Sequence, residues 1–130
     1  MALIKDIYNF LTDFAPLELQ MGFDNSGFLV GRKENEVSKV LLALDITIPV
    51  IEEAEKLGAQ LIVSHHPLIF HPLKSITDDK FLRIVRSDIS AICMHTNLDI
   101  CDGGVNDVLI ETLTGNKAML KLGDDNCGRV

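Results

Sequence analysis

Two short apolar runs in this chain each end in side chains that can bind a metal ion or transfer a proton. Leu61–Val63 is followed, after one serine, by His65 and His66, and Ile89–Met94 is followed directly by His95. Apolar runs of this length are typical of buried strands. Because open α/β sheets place their ligands at the carboxyl ends of strands, the two runs predict a metal site built across neighbouring strand ends.

The alternation of apolar runs and helical patterns predicts the fold class. A further apolar run, Val37–Ile46, precedes the other two, and a helical pattern follows each of the three. The predicted helix signals are Thr47 as an N-cap with Gly58 at the C-terminal end, the capping residues Thr77, Asp78 and Asp79 before an inward face of Phe81, Leu82 and Val85, and the pair Gly103-Gly104 before an apolar face of Val105, Val108, Leu109 and Leu113. Strand–helix repeats of this kind predict right-handed crossovers and an α/β fold with a mainly parallel sheet and flanking helices.

The rest of the chain predicts shorter elements around that sheet. Apolar residues at helical spacing predict a first helix over residues 3–14, and the glycine-rich stretch 21–31 predicts a loop that leads into a short strand. Near the C-terminus, residues 118–122 are compatible with a strand and residues 123–128 have the composition of a loop. The length of 130 residues predicts a single α/β domain over 1–130.

Composition excludes several classes of protein. The net charge is −7 with no cluster of Lys or Arg, which argues against a nucleic-acid partner. The apolar runs are too short to span a membrane, and the N-terminus lacks the pattern of a signal peptide. Three cysteines without a CxxC pair fit reduced thiols. We therefore expect a cytoplasmic protein that does not enter a membrane.

The chemistry of the two clusters favours a transition metal. Neighbouring residues on a regular strand point to opposite faces, but at a strand end that turns into Pro67 the rings of His65 and His66 can splay toward two adjacent metal positions. Asp99, four residues after His95, adds a hard anionic ligand. Mixed imidazole and carboxylate ligation suits zinc, iron or manganese, and two such ions can together activate water.

Other interpretations of these residues stay open. A histidine at a strand end can instead cap or pack, and His71, between Phe70 and Pro72, is expected to be a surface or hydrogen-bonding residue. Asp45 can cap a helix, which we place first, orient a histidine or contact a substrate. Asp24 and Asn25 precede a glycine loop and have the composition of a turn.

Four segments carry a resemblance to a known family. FDNSGFLVG, LLALDIT, LIVSHHPLIF and HTNLDICDGGVND occur in the order and approximate spacing of the Nif-three-like dinuclear metal-binding proteins, also described as type 2 GTP cyclohydrolase-like. The resemblance implies that His65, His66 and Asp99 bind the metals. It implies a role for His95 in orienting a ligand or in acid–base transfer, which makes it the candidate catalytic residue.

The resemblance also implies a function and an assembly. It implies a metal-dependent hydrolase of GTP cyclohydrolase type, holding up to two divalent ions, with a metal-activated water as nucleophile and a small-molecule substrate. The sequence shows no phosphate-binding loop and no evident aromatic pair for stacking a base. The alternative is a non-catalytic, metal-binding oligomeric interaction or regulatory protein; relatives form homohexamers.

The resemblance places this chain at the N-terminal part of such a protein. Relatives continue further and add a histidine and a bridging glutamate near their C-terminus. After Asp107, the carboxylates in this sequence are Glu111, Asp124 and Asp125, and none stands in such a motif. The domain is therefore expected to be incomplete relative to the family.

Overall fold

The computed structural model describes residues 1–117, 120–123 and 127–129. The helices are α1 (Ile4–Phe14), α2 (Ile48–Leu57), α3 (Asp79–Arg86), α4 (Thr96–Ile100) and α5 (Val105–Thr114), and a short 3₁₀ turn covers Leu17–Leu19. The strands are β1 (Ala2–Leu3), β2 (Gly27–Val30), β3 (Glu36–Val37), β4 (Val40–Ala43), β5 (Leu61–Ser64), β6 (Ser90–Cys93), β7 (Lys121–Leu122) and β8 (Gly128–Arg129).

A four-stranded sheet forms the centre of the fold, in the order β2-β6-β5-β4. Strands β4, β5 and β6 run parallel, and β2 pairs antiparallel with β6 at one edge. Helix α2 connects β4 to β5, and α3 connects β5 to β6. The prediction of an α/β fold with a mainly parallel sheet is confirmed, as is the short strand after the glycine-rich loop.

Helices cover both faces of this sheet. Successive strand residues point to opposite faces, so Ile62 packs in a core cluster with Ile51 of α2 and Ile84 of α3. Leu61 packs on the other face in a cluster that includes Ile4 of α1. The carboxyl ends of β5 and β6 therefore lie side by side at the end of a sheet whose two faces are covered by helices.

Local signals place the helix ends where the sequence predicts them. The Thr47 side chain accepts a bond from the Val50 amide at 3.4 Å, and Gly58 ends α2 in the left-handed conformation at φ +64°. At α3 the Asp78 carboxylate accepts from the Lys80 amide at 2.8 Å. These bonds satisfy amides that the first helical turn leaves without an internal partner.

The first apolar run differs from its predicted form. Instead of one buried strand over Val37–Ile46, only Val40–Ala43 joins the central sheet, and Val37 belongs to a separate pair, β1 with β3. Strand β4 lies at the sheet edge, where Leu42 is 75% exposed. Hydrophobicity predicts a strand, but the number of neighbours that bury it depends on the position of the strand in the sheet.

Two predicted helix faces also need correction. In α3, Ile84 is the fully buried residue, whereas Val85, predicted to face inward, is exposed. In α5 the predicted apolar face is present, but Val108, Leu109 and Leu113 are all exposed. A helical period identifies an apolar face and cannot identify what covers it.

The C-terminal segment is described in part. Strand β7 pairs antiparallel with β8, so Gly128 lies in a strand rather than in the predicted loop. Part of the predicted strand, residues 118 and 119, and part of the predicted loop, residues 124–126, lie outside the described residues. Within the described ranges, no helix combines the length and apolar character that crossing a membrane requires.

Candidate metal site

Three histidines meet at the carboxyl ends of β5 and β6. One ring nitrogen of each of His65, His66 and His95 lies within 4.8 Å of the other two. Ring centroids are 5.2 Å apart for His65–His66 and His65–His95, and 5.6 Å apart for His66–His95. The two strand-end clusters therefore come together, and His95 lies within the group that they form.

Backbone bonds beyond the strands hold these residues in place. The amides of His65 and His66 donate to the carbonyls of Ala43 at 3.2 Å and Leu44 at 2.9 Å, so the chain follows β4 past the end of β5. The buried Ser64 hydroxyl donates to the His66 carbonyl at 2.8 Å. The adjacent histidines therefore lie on a fixed turn, which allows both rings to face the same space at the carboxyl ends of β5 and β6.

His65 has a defined tautomer. Its Nδ1 lies 2.9 Å from the carbonyl oxygen of Met94. Because a carbonyl only accepts, Nδ1 carries the proton and Nε2 keeps a free lone pair. Metal-binding histidines typically donate their second nitrogen to a carbonyl or carboxylate in this way.

His95 is held by a buried carboxylate. Its Nδ1 lies 2.9 Å from Asp24 Oδ1, and the Asp24 side chain is fully buried. Asp24 also accepts from the Thr96 amide at 3.0 Å, from the Thr96 hydroxyl and from the Ser26 hydroxyl at 3.1 Å. Burial raises the pKa of Asp24, but the bonds from Thr96 and His95 outweigh it and lower that pKa to about 2. Asp24 is therefore an anion at neutral pH, and it stabilises an Nδ1 proton on His95.

His66 has a carboxylate partner of its own. Its Nδ1 lies 2.8 Å from Asp45 Oδ1, and both side chains are about half exposed. Of the three interpretations of Asp45, this contact is that of a residue orienting a histidine, while Thr47 caps α2. All three imidazoles thus engage an acceptor through Nδ1, which leaves Nε2 as the nitrogen available to a ligand.

Asp99 lies beside the histidines on α4, a helix that the sequence patterns did not indicate. Asp99 Oδ1 is 3.6 Å from His65 Nε2, and both side chains are about one quarter exposed. This separation exceeds a hydrogen bond and is close to the spacing of two ligands on one ion, about 3.4 Å for donors about 2.1 Å from a tetrahedral metal. His71 is exposed and contacts Phe70 edge-on, outside the group.

Sequence reasoning missed the function of Asp24. Local composition predicts a turn at Asp24 and Asn25, because nothing nearby in the sequence links Asp24 to a histidine 71 residues away. The available signal is the segment itself. Asp24 is followed by Asn25 and Ser26, and it accepts hydrogen bonds from the backbone amide of Asn25 and the hydroxyl of Ser26. These donors orient the Asp24 carboxylate, and the fold places it within hydrogen-bond distance of His95.

The donor set fits a divalent transition metal. Three Nε2 atoms with anchored Nδ1 protons and one adjacent carboxylate are ligands that suit zinc, iron or manganese. The fold and the site together define a class: an α/β protein with a cluster of three histidines that could hold a metal ion at the carboxyl ends of parallel strands.

Comparison with protein families identifies the member of that class. The family model of Duf34/NIF3 (NGG1p interacting factor 3) matches residues 2–130. The chain therefore belongs to the Duf34/NIF3 family, and the resemblance inferred from its motifs is confirmed.

Individual relatives and solved structures agree with this. A GTP cyclohydrolase 1 type 2 homolog from Clostridium perfringens is 44% identical over 90% of this chain and 47% of its own length. One from Methanocaldococcus jannaschii is 38% identical over 97% of this chain and 53% of its own. The chain thus spans about half the length of these curated relatives.

Two solved structures share the fold closely. The Bacillus cereus protein related to NIF3 superimposes with a TM-score of 0.86 at 36% identity, over 93% of this chain and 35% of that one. Reduced HcgD from Methanocaldococcus jannaschii gives 0.85 at 35% identity, over 95% and 51%.

Proposed function

We propose that this chain binds a divalent transition metal ion, zinc, iron or manganese, through Nε2 of His65, His66 and His95, with Asp99 as a carboxylate ligand. The observation that supports this most strongly is the convergence of three imidazoles whose Nδ1 atoms are each held by an acceptor. A hydrogen bond from the second ring nitrogen to a carbonyl or carboxylate is typical of histidines that bind a metal.

We propose His95 as a ligand rather than as a proton carrier. The sequence left its function between orienting a ligand and moving a proton. Two observations support this: a ring nitrogen of His95 lies within 4.8 Å of one ring nitrogen each of His65 and His66, and the anion Asp24 holds the proton on His95 Nδ1, so that the neutral ring offers Nε2 to a metal.

We propose two ions for the complete protein. Three imidazoles and one carboxylate provide four donors, which two four-coordinate ions would exceed. Curated relatives are about twice as long as this chain, and the added length is the source that we propose for further ligands. The chain by itself should then retain one ion more tightly than a second.

For the activity, we propose metal-dependent hydrolysis, as the names of the GTP cyclohydrolase 1 type 2 homologs suggest. A bound ion would supply Lewis acidity, which makes water a competent nucleophile at neutral pH. The chain contributes oriented imidazoles and the Asp99 carboxylate at the carboxyl ends of β5 and β6, where His66, about half exposed, leaves access for a small molecule.

Activity that depends on metal tests this proposal. We expect the complete protein, loaded with zinc or manganese, to hydrolyse GTP or a chromogenic phosphoester, to lose that turnover when a chelator strips the metal and to regain it on reloading, whereas this chain alone should show little turnover. The measurement is product release with each metal, compared with His65→Ala protein as the negative control. Metal retention without turnover in any form would favour the non-catalytic alternative.

The anchoring of His95 gives a second prediction. Asp24→Asn should weaken metal affinity by about 10–100-fold, as loss of a partner of a ligating histidine typically does, since an amide can hold the wrong tautomer. The measurement is a competition titration against a chromophoric chelator. Asp13→Asn, an exposed carboxylate on α1, is the control, and equal affinities for the two variants would contradict the assigned function of Asp24.

The alternative, a non-catalytic oligomeric metal-binding protein, has one observation in its favour. Leu42 on edge strand β4 is 75% exposed, and Leu44, just after the end of that strand, is 61% exposed. An unpaired strand edge with exposed leucines promotes association. We propose a homo-oligomer, and a hexamer for the complete protein.

Association is directly measurable. We expect light scattering during size-exclusion chromatography to report a species larger than the 14.4 kDa monomer at micromolar concentration. Leu42→Lys with Leu44→Lys should shift it toward the monomer, because charges on an edge strand oppose pairing. Leu113→Lys, on the equally exposed α5, is the comparison; a monodisperse wild-type monomer would contradict the proposal.

A further inference from the structure

Two exposed phenylalanines contact each other on loops that adjoin the histidine cluster in the sequence. Phe23 is 67% exposed and Phe70 is 38% exposed. Their ring centroids lie 6.4 Å apart with an interplanar angle of 51°, within the range of interacting aromatic pairs. Phenylalanine is among the residues most often buried, so two adjacent exposed rings need an explanation.

The loops that carry this pair adjoin residues of the candidate metal site. Phe23 directly precedes Asp24, whose carboxylate lies 2.9 Å from His95 Nδ1. Phe70 follows His66 by four residues in the loop that leaves the cluster. A bond of 2.7 Å from Asn25 Nδ2 to the Ile69 carbonyl joins the two loops. The two rings therefore stand on loops that begin at ligands or at their partners.

These loops are anchored despite the exposure of the rings. Asp24 is held by Thr96 and Ser26. Leu68 is buried in the core, and Ile69 packs against that core. Aromatic rings with two rotatable bonds on a fixed backbone lose little conformational entropy when a ligand binds. Such surfaces are suited to stacking against a flat partner.

We propose that Phe23 and Phe70 form an aromatic rim that stacks on a planar heteroaromatic ring of the substrate and leaves its polar end against the metal site. The inference deepens the proposed function and rests on it. It also corrects the expectation that no aromatic pair is available for stacking, because 47 residues separate the two rings in the sequence and only the fold pairs them.

A small planar ring fits this rim better than a protein surface does. The rim consists of two rings, with His71 edge-on to Phe70 at 4.8 Å, and the loops that carry them also carry Asp24, the partner of His95, and His66. A surface for a protein partner is broad and mostly apolar at its centre. A flat ring with a polar or anionic substituent matches both parts of this arrangement, because the ring can stack on the two phenylalanines and the substituent can reach the candidate metal site.

The test compares a ligand that carries a ring with one that lacks it. Calorimetry on zinc-loaded protein would measure binding of GTP and of inorganic tripolyphosphate, which present similar phosphates to the metal. We expect GTP to bind at least fivefold more tightly, and Phe23→Leu and Phe70→Leu each to reduce that preference fivefold or more, since a stacked base contributes about that much. Phe70→Tyr, which keeps an aromatic ring at this position, should retain the wild-type preference for GTP.

The control is Phe10→Leu, since Phe10 lies on α1 with 70% exposure and should leave the preference unchanged. Equal binding of the two probes, including binding of neither, or leucine variants with the wild-type preference, would overturn the rim. Zinc content is measured on the same samples. If the wild-type protein holds no zinc, the proposed metal site is overturned. If that zinc-free protein prefers GTP to tripolyphosphate and the leucine variants lose the preference, the rim is still supported.

Discussion

Protein with His65→Ala, His66→Ala or His95→Ala is expected to lose its tightly bound metal, with affinity reduced by more than about 100-fold for each change. The reason is that each substitution removes a proposed direct ligand of the metal. Loss of only the hydrogen-bond partner of a ligand typically lowers metal affinity by up to about 100-fold. The measurement is elemental analysis after dialysis, followed by titration with zinc against a chelator.

The matched control is His71→Ala. His71 is the remaining histidine of the four in the chain and lies exposed outside the cluster. It should retain the wild-type metal content. Equal metal content in the His65 and His71 variants would show that the cluster is not the binding site. Loss in His65→Ala and His66→Ala but not in His95→Ala would return His95 to the acid–base function that the sequence suggested.

Gly104→Ala is expected to lower the free energy of unfolding by about 3 kcal/mol, near the upper end of the cost of overpacking. A methyl group there would lie 1.9 Å from the Leu98 carbonyl oxygen and 2.8 Å from Cys101 Sγ. The backbone oxygen cannot move without shifting α4, which carries Asp99. The variant should therefore lose stability and also bind metal more weakly.

Urea unfolding followed by circular dichroism measures this loss. The control is Gly22→Ala, where an added methyl group meets no atom within 4 Å, so the free energy should change by less than about 1 kcal/mol. If the two variants unfold alike, α4 and α5 do not pack as closely as the structure shows.

The sequence predicted the elements that depend on near neighbours. The alternation of apolar runs and helical patterns was enough for the parallel strands β4 to β6 and for α2 and α3, because period and capping are local properties. Thr47 and Gly58 end α2 where their side-chain and backbone preferences predict. Short helix α4 escaped this reasoning, since five residues provide too few turns for a period.

The candidate site divides in the same way. The sequence by itself determined which residues end the two central strands, because an apolar run followed by His65-His66 or His95 is visible locally. It did not show that Asp24 anchors His95 or that Asp45 orients His66, which pair residues 71 and 21 positions apart.

Only the tertiary structure decided those pairings, the exposure of β4 and the meeting of Phe23 with Phe70. Each depends on which elements become neighbours in space, and that follows from the packing of the whole sheet. Local patterns specify the ends of strands and helices, since those ends involve residues a few positions apart. The environment of each imidazole in the candidate metal site is assembled from separate loops, and its chemistry is therefore a property of the folded chain.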